Sequence, residues 1–148
     1  MKIIPFSFAF LFVAALSLTA GPAEEKAFTD KYKTAFEAKD NATLASFLYT
    51  KGSDPGIIEF YRMMMTSEAG GKITKIELSG LTPEEAKKAA GAQDSPGGGK
   101  VCMPIKPTKK LVIEVTTKDG DSSSSSSSTS FVAEQDGKLV IPVPGPCK

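Results

Sequence analysis

The spacing of apolar positions changes twice along the chain. From Glu24 to Asp40, Phe28, Tyr32, Ala35 and Phe36 recur at helical intervals, while Lys26, Asp30, Lys33 and Glu37 lie on the opposite side. This predicts a helix ending near Asp40. A second, short helix follows, with Asp40 or Asn41 as its cap and Leu44, Phe47 and Leu48 facing inward; Gly52 ends it. A third begins at Pro55 behind Ser53 or Asp54. It carries Ile57, Ile58, Tyr61, Met64 and Met65 as one stripe, and Gly70-Gly71 closes it. The period then shortens. "KITKIELSGL" has the branched alternation of a strand. "TPEEAKKAAG" returns to a short helix, because Thr82 and Glu85 stand three apart as a capping box. "AQDSPGGG" has the composition of a loop. "KKLVIEVTTKDG" is the strongest strand, and "FVAEQDGKLVIP" is a hairpin around Asp136-Gly137. The proline-rich end, "PVPGPCK", cannot run as an internal strand. The order predicts an α+β fold, N-terminal helices against an antiparallel sheet of about four strands.

The stretch between the last two segments, Ser122–Ser130, is seven serines followed by Thr129 and Ser130. As a loop it would be unusually long for a compact domain. With a tight turn at Asp119-Gly120-Asp121 it becomes a strand, pairing Lys118 with Ser122, Glu114 with Ser126 and Lys109 with Phe131. Phe131 and Ala133 then share a face with Leu111, Ile113 and Val115. Serine is a mediocre strand former, so the hairpin is favoured over a flexible loop without displacing it.

The first twenty residues stand apart from this pattern. Lys2 precedes an uncharged apolar run from Ile3 to Ala20, then small residues, then Glu24-Glu25-Lys26. That is the layout of a secretory signal peptide over residues 1–20, with cleavage after Ala20 or as late as Ala23. An uncleaved anchor is the competing reading, disfavoured by Pro5 and the polar Ser7, Ser17 and Thr19. No later stretch has the length of a membrane span. Export predicts a secreted or periplasmic protein, with residues 24–148 as a single α+β domain. The whole chain has 18 basic and 17 acidic residues, and loss of Lys2 with the leader balances them. Such balance argues against nucleic acid as a partner and against a polybasic membrane patch. In an exported chain the only two cysteines, Cys102 and Cys147, predict one disulfide. A redox pair would favour the C-x-x-C spacing, which is absent.

The segment "YKTAFEAKDNATLASFLY", Tyr32 to Tyr49, resembles the opening of the nuclear transport factor 2-like, or cystatin-like, superfamily. There a long helix meets a short one at such a corner. The resemblance covers most of residues 24–143 in element order. The helix over Thr82–Ala90 and the glycine loop after it depart from that pattern. What the resemblance implies is a curved, cone-like sheet wrapped around helices, with a cavity between them. In that superfamily the cavity serves isomerases, dehydratases, small-molecule binding or protein association.

Candidate chemistry is sparse. Histidine is absent, which removes the commonest general base, the Ser-His and Cys-His nucleophiles and the main transition-metal ligand. No cofactor motif is present: "DSPGGGKV" has Asp94 where a phosphate loop needs its first glycine and Val101 where it needs Ser or Thr. The three methionines at 63–65 diverge around a helix and cannot converge on one ion, so they read as core. Asn41-Ala42-Thr43 fits a glycosylation acceptor, but a helix cap is sufficient to explain it and is the favoured reading. Asp40, Glu59, Glu77 and Glu114 are the nominal carboxylate bases, each more simply a solvated or capping residue. Phe28, Tyr32, Phe47, Phe60 and Tyr61 could line a cavity, although plain core is the favoured reading. The balance favours a non-catalytic domain that binds a small apolar molecule or a protein. A carboxylate-based isomerase or lyase and a structural or inhibitor-like module are the alternatives.

Overall fold

The computed structural model describes residues 19–148; most of the expected signal peptide lies outside them. The fold is α+β. Helix α1 spans Pro22–Glu37, α2 Asn41–Ser46, α3 Pro55–Ser67 and α4 Pro83–Ala90. Each of the last three starts where its sequence supplies a cap. Asp40 accepts from the Thr43 N–H, Asp54 from the Gly56 N–H, and Thr82 and Glu85 form a reciprocal box. The corner between α1 and α2 turns at Lys39, which holds a left-handed φ of 58°.

The main sheet is mixed rather than wholly antiparallel, and it does not close into a barrel. Its strands are β1 (Leu48–Tyr49), β2 (Lys72–Gly80), β5 (Pro107–Asp119), β6 (Ser122–Gln135) and β7 (Lys138–Pro142), in the order β1-β7-β6-β5-β2. Four run antiparallel, and the two-residue β1 adds a parallel edge to β7. The inner face carries Ile73, Leu111, Ile113, Val115, Val132, Leu139 and Ile141 against Phe28, Tyr32, Phe36 and Leu44 of the helices. Burying each large side chain in this layer contributes roughly 1.5–3 kcal/mol. On the opposite face α4 is tied to β5 by Glu85 and Lys110, 2.6 Å apart.

A second, smaller sheet joins β3 (Gln93–Asp94), β4 (Lys100–Cys102) and β8 (Gly145–Pro146). The Cys102–Cys147 disulfide fastens its end. Ile57, Val101 and Val143 form its own apolar cluster. Gly145 is obligatory there, since a Cβ would stand 2.2 Å from the Gly52 carbonyl oxygen. Both outer strands lie in segments whose composition is that of a loop and a tail; two residues are too few to show a period, and Pro146 is tolerated because it sits at an edge.

The serine tract is a strand, one register away from the expected pairing. The turn is the two-residue Gly120-Asp121, with Gly120 at φ 60°, so Asp119 pairs with Ser122 and Lys110 with Phe131. Glycine at the first central position is what a tight turn of the II′ kind requires. The slip of one residue exchanges faces. Ser126, Ser128 and Ser130 stand opposite Val115, Ile113 and Leu111, and Phe131 stands opposite Lys110 on the other face. An irregularity between Pro107 and Lys109 then shifts the pairing, so that Pro107 meets Ala133.

Candidate functional site

The register decides what lies under the helices. Ile113 is buried, but its neighbour on β6 is Ser128, which is too small to reach the helix layer. A cleft of about 330 Å³ results between α3 and the serine strand. Tyr32 and Phe36 of α1 close one wall, Tyr61, Met64 and Met65 of α3 the other, and Ile113, Ser128 and Ser130 the floor. Ile141 stands at one end and Glu68 at the other. Met64 keeps 48% of its surface exposed and Met63 60%, so only Met65 fills core, where the sequence pattern predicts all three.

Tyr32 is 3% exposed, and burial pushes its hydroxyl up to about 12. Burial also raises Tyr61. Both therefore stay neutral phenols at pH 7. Neither makes a side-chain hydrogen bond among the described residues, and both line the cleft, as do the free hydroxyls of Ser128 and Ser130. The cleft is an apolar slot with unspent hydroxyls along its floor and one carboxylate at its mouth. That composition suits a ligand with an apolar body and a few polar atoms.

Two wider depressions are chemically different. One, of about 520 Å³, lies between the start of α3 and the glycine loop, and includes Phe60. Its polar groups are already committed: Asp54 caps Gly56, Ser95 accepts from Gly97, and Lys100 pairs with Asp94. The other, of about 720 Å³, is an open surface with Lys39, Lys72 and Lys118 around Gly70-Gly71. Glu68 borders it as well as the cleft.

The aromatic residues singled out by sequence separate. Tyr32 and Tyr61 meet in the cleft. Phe28 and Phe47 pack edge to face, with ring centres 5.1 Å apart, inside the main core, and Phe60 faces the glycine loop. The carboxylates do not converge. Asp40 caps α2, and its bonds from Thr43 hold it below the usual carboxylate range. Glu59 pairs with Arg62, and Glu77 and Glu114 lie near Lys75. None of the four lines the cleft. Glu68 and the serines are site residues that the sequence pattern does not single out, and Met64 and Ile113 are legible there only as parts of an apolar stripe. The α3 stripe points to Met64, while the serines depend on the register, which seven identical residues cannot encode.

No helix among the described residues is long and apolar enough to cross a membrane. No protein-family model matches the chain, and neither does any curated protein or solved structure.

Proposed function

We propose that this is an exported, non-catalytic binding domain, secreted or periplasmic, whose ligand seats its apolar part in the cleft between α3 and the serine strand. The observation that carries this reading is the cleft itself: a mainly apolar slot on the helix-covered side of the sheet, bordered by hydroxyls that no side chain among the described residues uses. The resemblance of Tyr32–Tyr49 to the nuclear transport factor 2-like superfamily supports it, since a cone-like sheet around helices would leave a cavity in this place. The disulfide fits an oxidising compartment. A neutral fluorescent probe, N-phenyl-1-naphthylamine, tests the reading. Its emission should rise on addition of protein and should not rise with a Ser128→Phe variant, in which the new ring fills the slot. Equal enhancement by both proteins would remove the cleft from consideration.

A further inference from the structure

The serine strand borders the cleft with an open edge. A two-residue turn makes Asp119 and Ser122 a hydrogen-bonded pair, so Ser124, Ser126, Ser128 and Ser130 turn their backbone groups toward β5. Ser123, Ser125, Ser127, Thr129 and Phe131 turn theirs outward. On that side β7 pairs only with Ala133, Glu134 and Gln135. It stops where the next hydrogen-bonding partner, Pro142, has no N–H to offer. Among the described residues, none of the backbone hydrogen bonds outside the regular elements reaches residues 122–131.

Edge strands are ordinarily blunted by charge, proline or a bulge. From Ser122 to Ala133 the chain has no charge and no proline. The side chains beside the edge are too small to hinder an approaching backbone. What recognises a row of free N–H and C=O groups is another extended backbone. A second copy of this chain offers the same serines, which would leave the slot under α3 empty. An added strand with apolar side chains at alternate positions would fill it, because its inward residues would lie beside Ser128 and Ser130, under Met64 and Tyr61. The only charged lining residue is Glu68, which forms no ion pair among the described residues and sits toward the turn end of the tract.

Resting on the binding function proposed above, we infer that the ligand is an extended peptide segment. It adds to β6 as a further strand, with alternate apolar side chains in the cleft and a basic residue at the Glu68 end. Main-chain bonds to the serine edge supply affinity, and the slot supplies selectivity.

The test uses the blocked peptide acetyl-Lys-Thr-Val-Thr-Leu-Thr-Thr-amide and two versions of it, N-methylated at one or the other alternate set of amides. Binding is read by backbone amide shifts and hydrogen exchange in the purified protein. The parent peptide should slow exchange at Ser123, Ser125, Ser127 and Thr129. One methylated set should weaken binding by about tenfold or more through lost hydrogen bonds, and the other should not. Met64→Glu should weaken the parent peptide and the naphthylamine probe alike. If the probe binds but the peptide does not, or both methylated sets bind equally, the peptide assignment fails while the cleft remains a binding site. If neither binds, both fail. If the outward amides become protected without peptide as the protein dimerises at higher concentration, a second copy occupies the edge and the peptide assignment is overturned.

Discussion

The two long edges of the main sheet are built in opposite ways. At the β2 edge, α1 reaches over and spends side chains on the backbone. Lys33 donates to the Ile73 carbonyl at 2.8 Å, and the Ile73 N–H donates to Glu37 at 3.1 Å. The pairing is irregular around Thr74, and Lys75 and Glu77 add charge beyond it. At the serine edge no side chain or helix among the described residues performs that service, and β7 ends before reaching it. The same sheet is therefore guarded on one side and left available on the other. Guarding takes charge, irregularity and a neighbouring helix; availability needs only their absence beside a strand that is otherwise well paired.

The difference can be broken most severely within β6 itself. Val132 is 0% exposed, whereas Ser127 is open to solvent. Val132→Asp should cost on the order of 4 kcal/mol or abolish folding, through an unpaired buried charge, while Ser127→Asp should stay within about 0.5 kcal/mol. Urea denaturation of the two variants checks this; similar losses would mean that the tract is packed rather than open. Next comes the disulfide, which anchors the tail just beyond Pro142 and so helps fix where β7 stops. Cys102→Ser should cost about 4 kcal/mol in the chain-entropy view of a loop of this length. A cost near zero would show that the tail is held without the bridge.

Much of this contrast is legible in the amino-acid sequence. The caps at Asp40, Asp54 and Thr82, the α1 stripe and the Asp136-Gly137 turn each carry a local signal whose physics is complete within a few residues; the cysteines, 45 residues apart, are legible because there are only two. The open edge is not legible there, for two reasons. A serine run looks the same in every register, so nothing in it distinguishes a turn of two residues from one of three. The slip sets Ser128 opposite Ile113 and turns Phe131 to the other face, opposite Lys110. The end of β7 is a relation between strands, since Pro142 matters only because it would face Phe131 of β6. Short strands such as β3 and β8 leave no period to read.

Smaller effects sharpen the comparison. Tyr32 lies between the two edges. Its unfolded hydroxyl titrates near 10, and its folded one near 12. Below pH 10 the shift does nothing. Between about 10 and 12 the unfolded chain releases the proton and the folded chain keeps it, so stability should fall by about 1.4 kcal/mol per pH unit. Thermal melts of Tyr32→Phe should lack this part of the alkaline loss; an unchanged slope would place its cause elsewhere. Glu37 has the opposite sign. Lys33 first, with the Ile73 N–H, holds its carboxyl below the usual range. Its contribution is present above the usual carboxylate range and is lost as the pH falls below that range through its lowered folded value. Glu37→Ala should cost about 1 kcal/mol and speed exchange at Ile73. If exchange at Ile73 does not change, the β2 edge is not sealed by α1.

The most direct measurement is residue-by-residue hydrogen exchange along the serine tract of the free protein at low concentration. The account predicts alternation: slow exchange at Ser124, Ser126, Ser128 and Ser130, fast exchange at Ser123, Ser125, Ser127 and Thr129. Uniformly fast exchange would mean that the tract is not a strand, and uniformly slow exchange would mean that its edge is already covered. Either result would contradict an open edge beside the cleft.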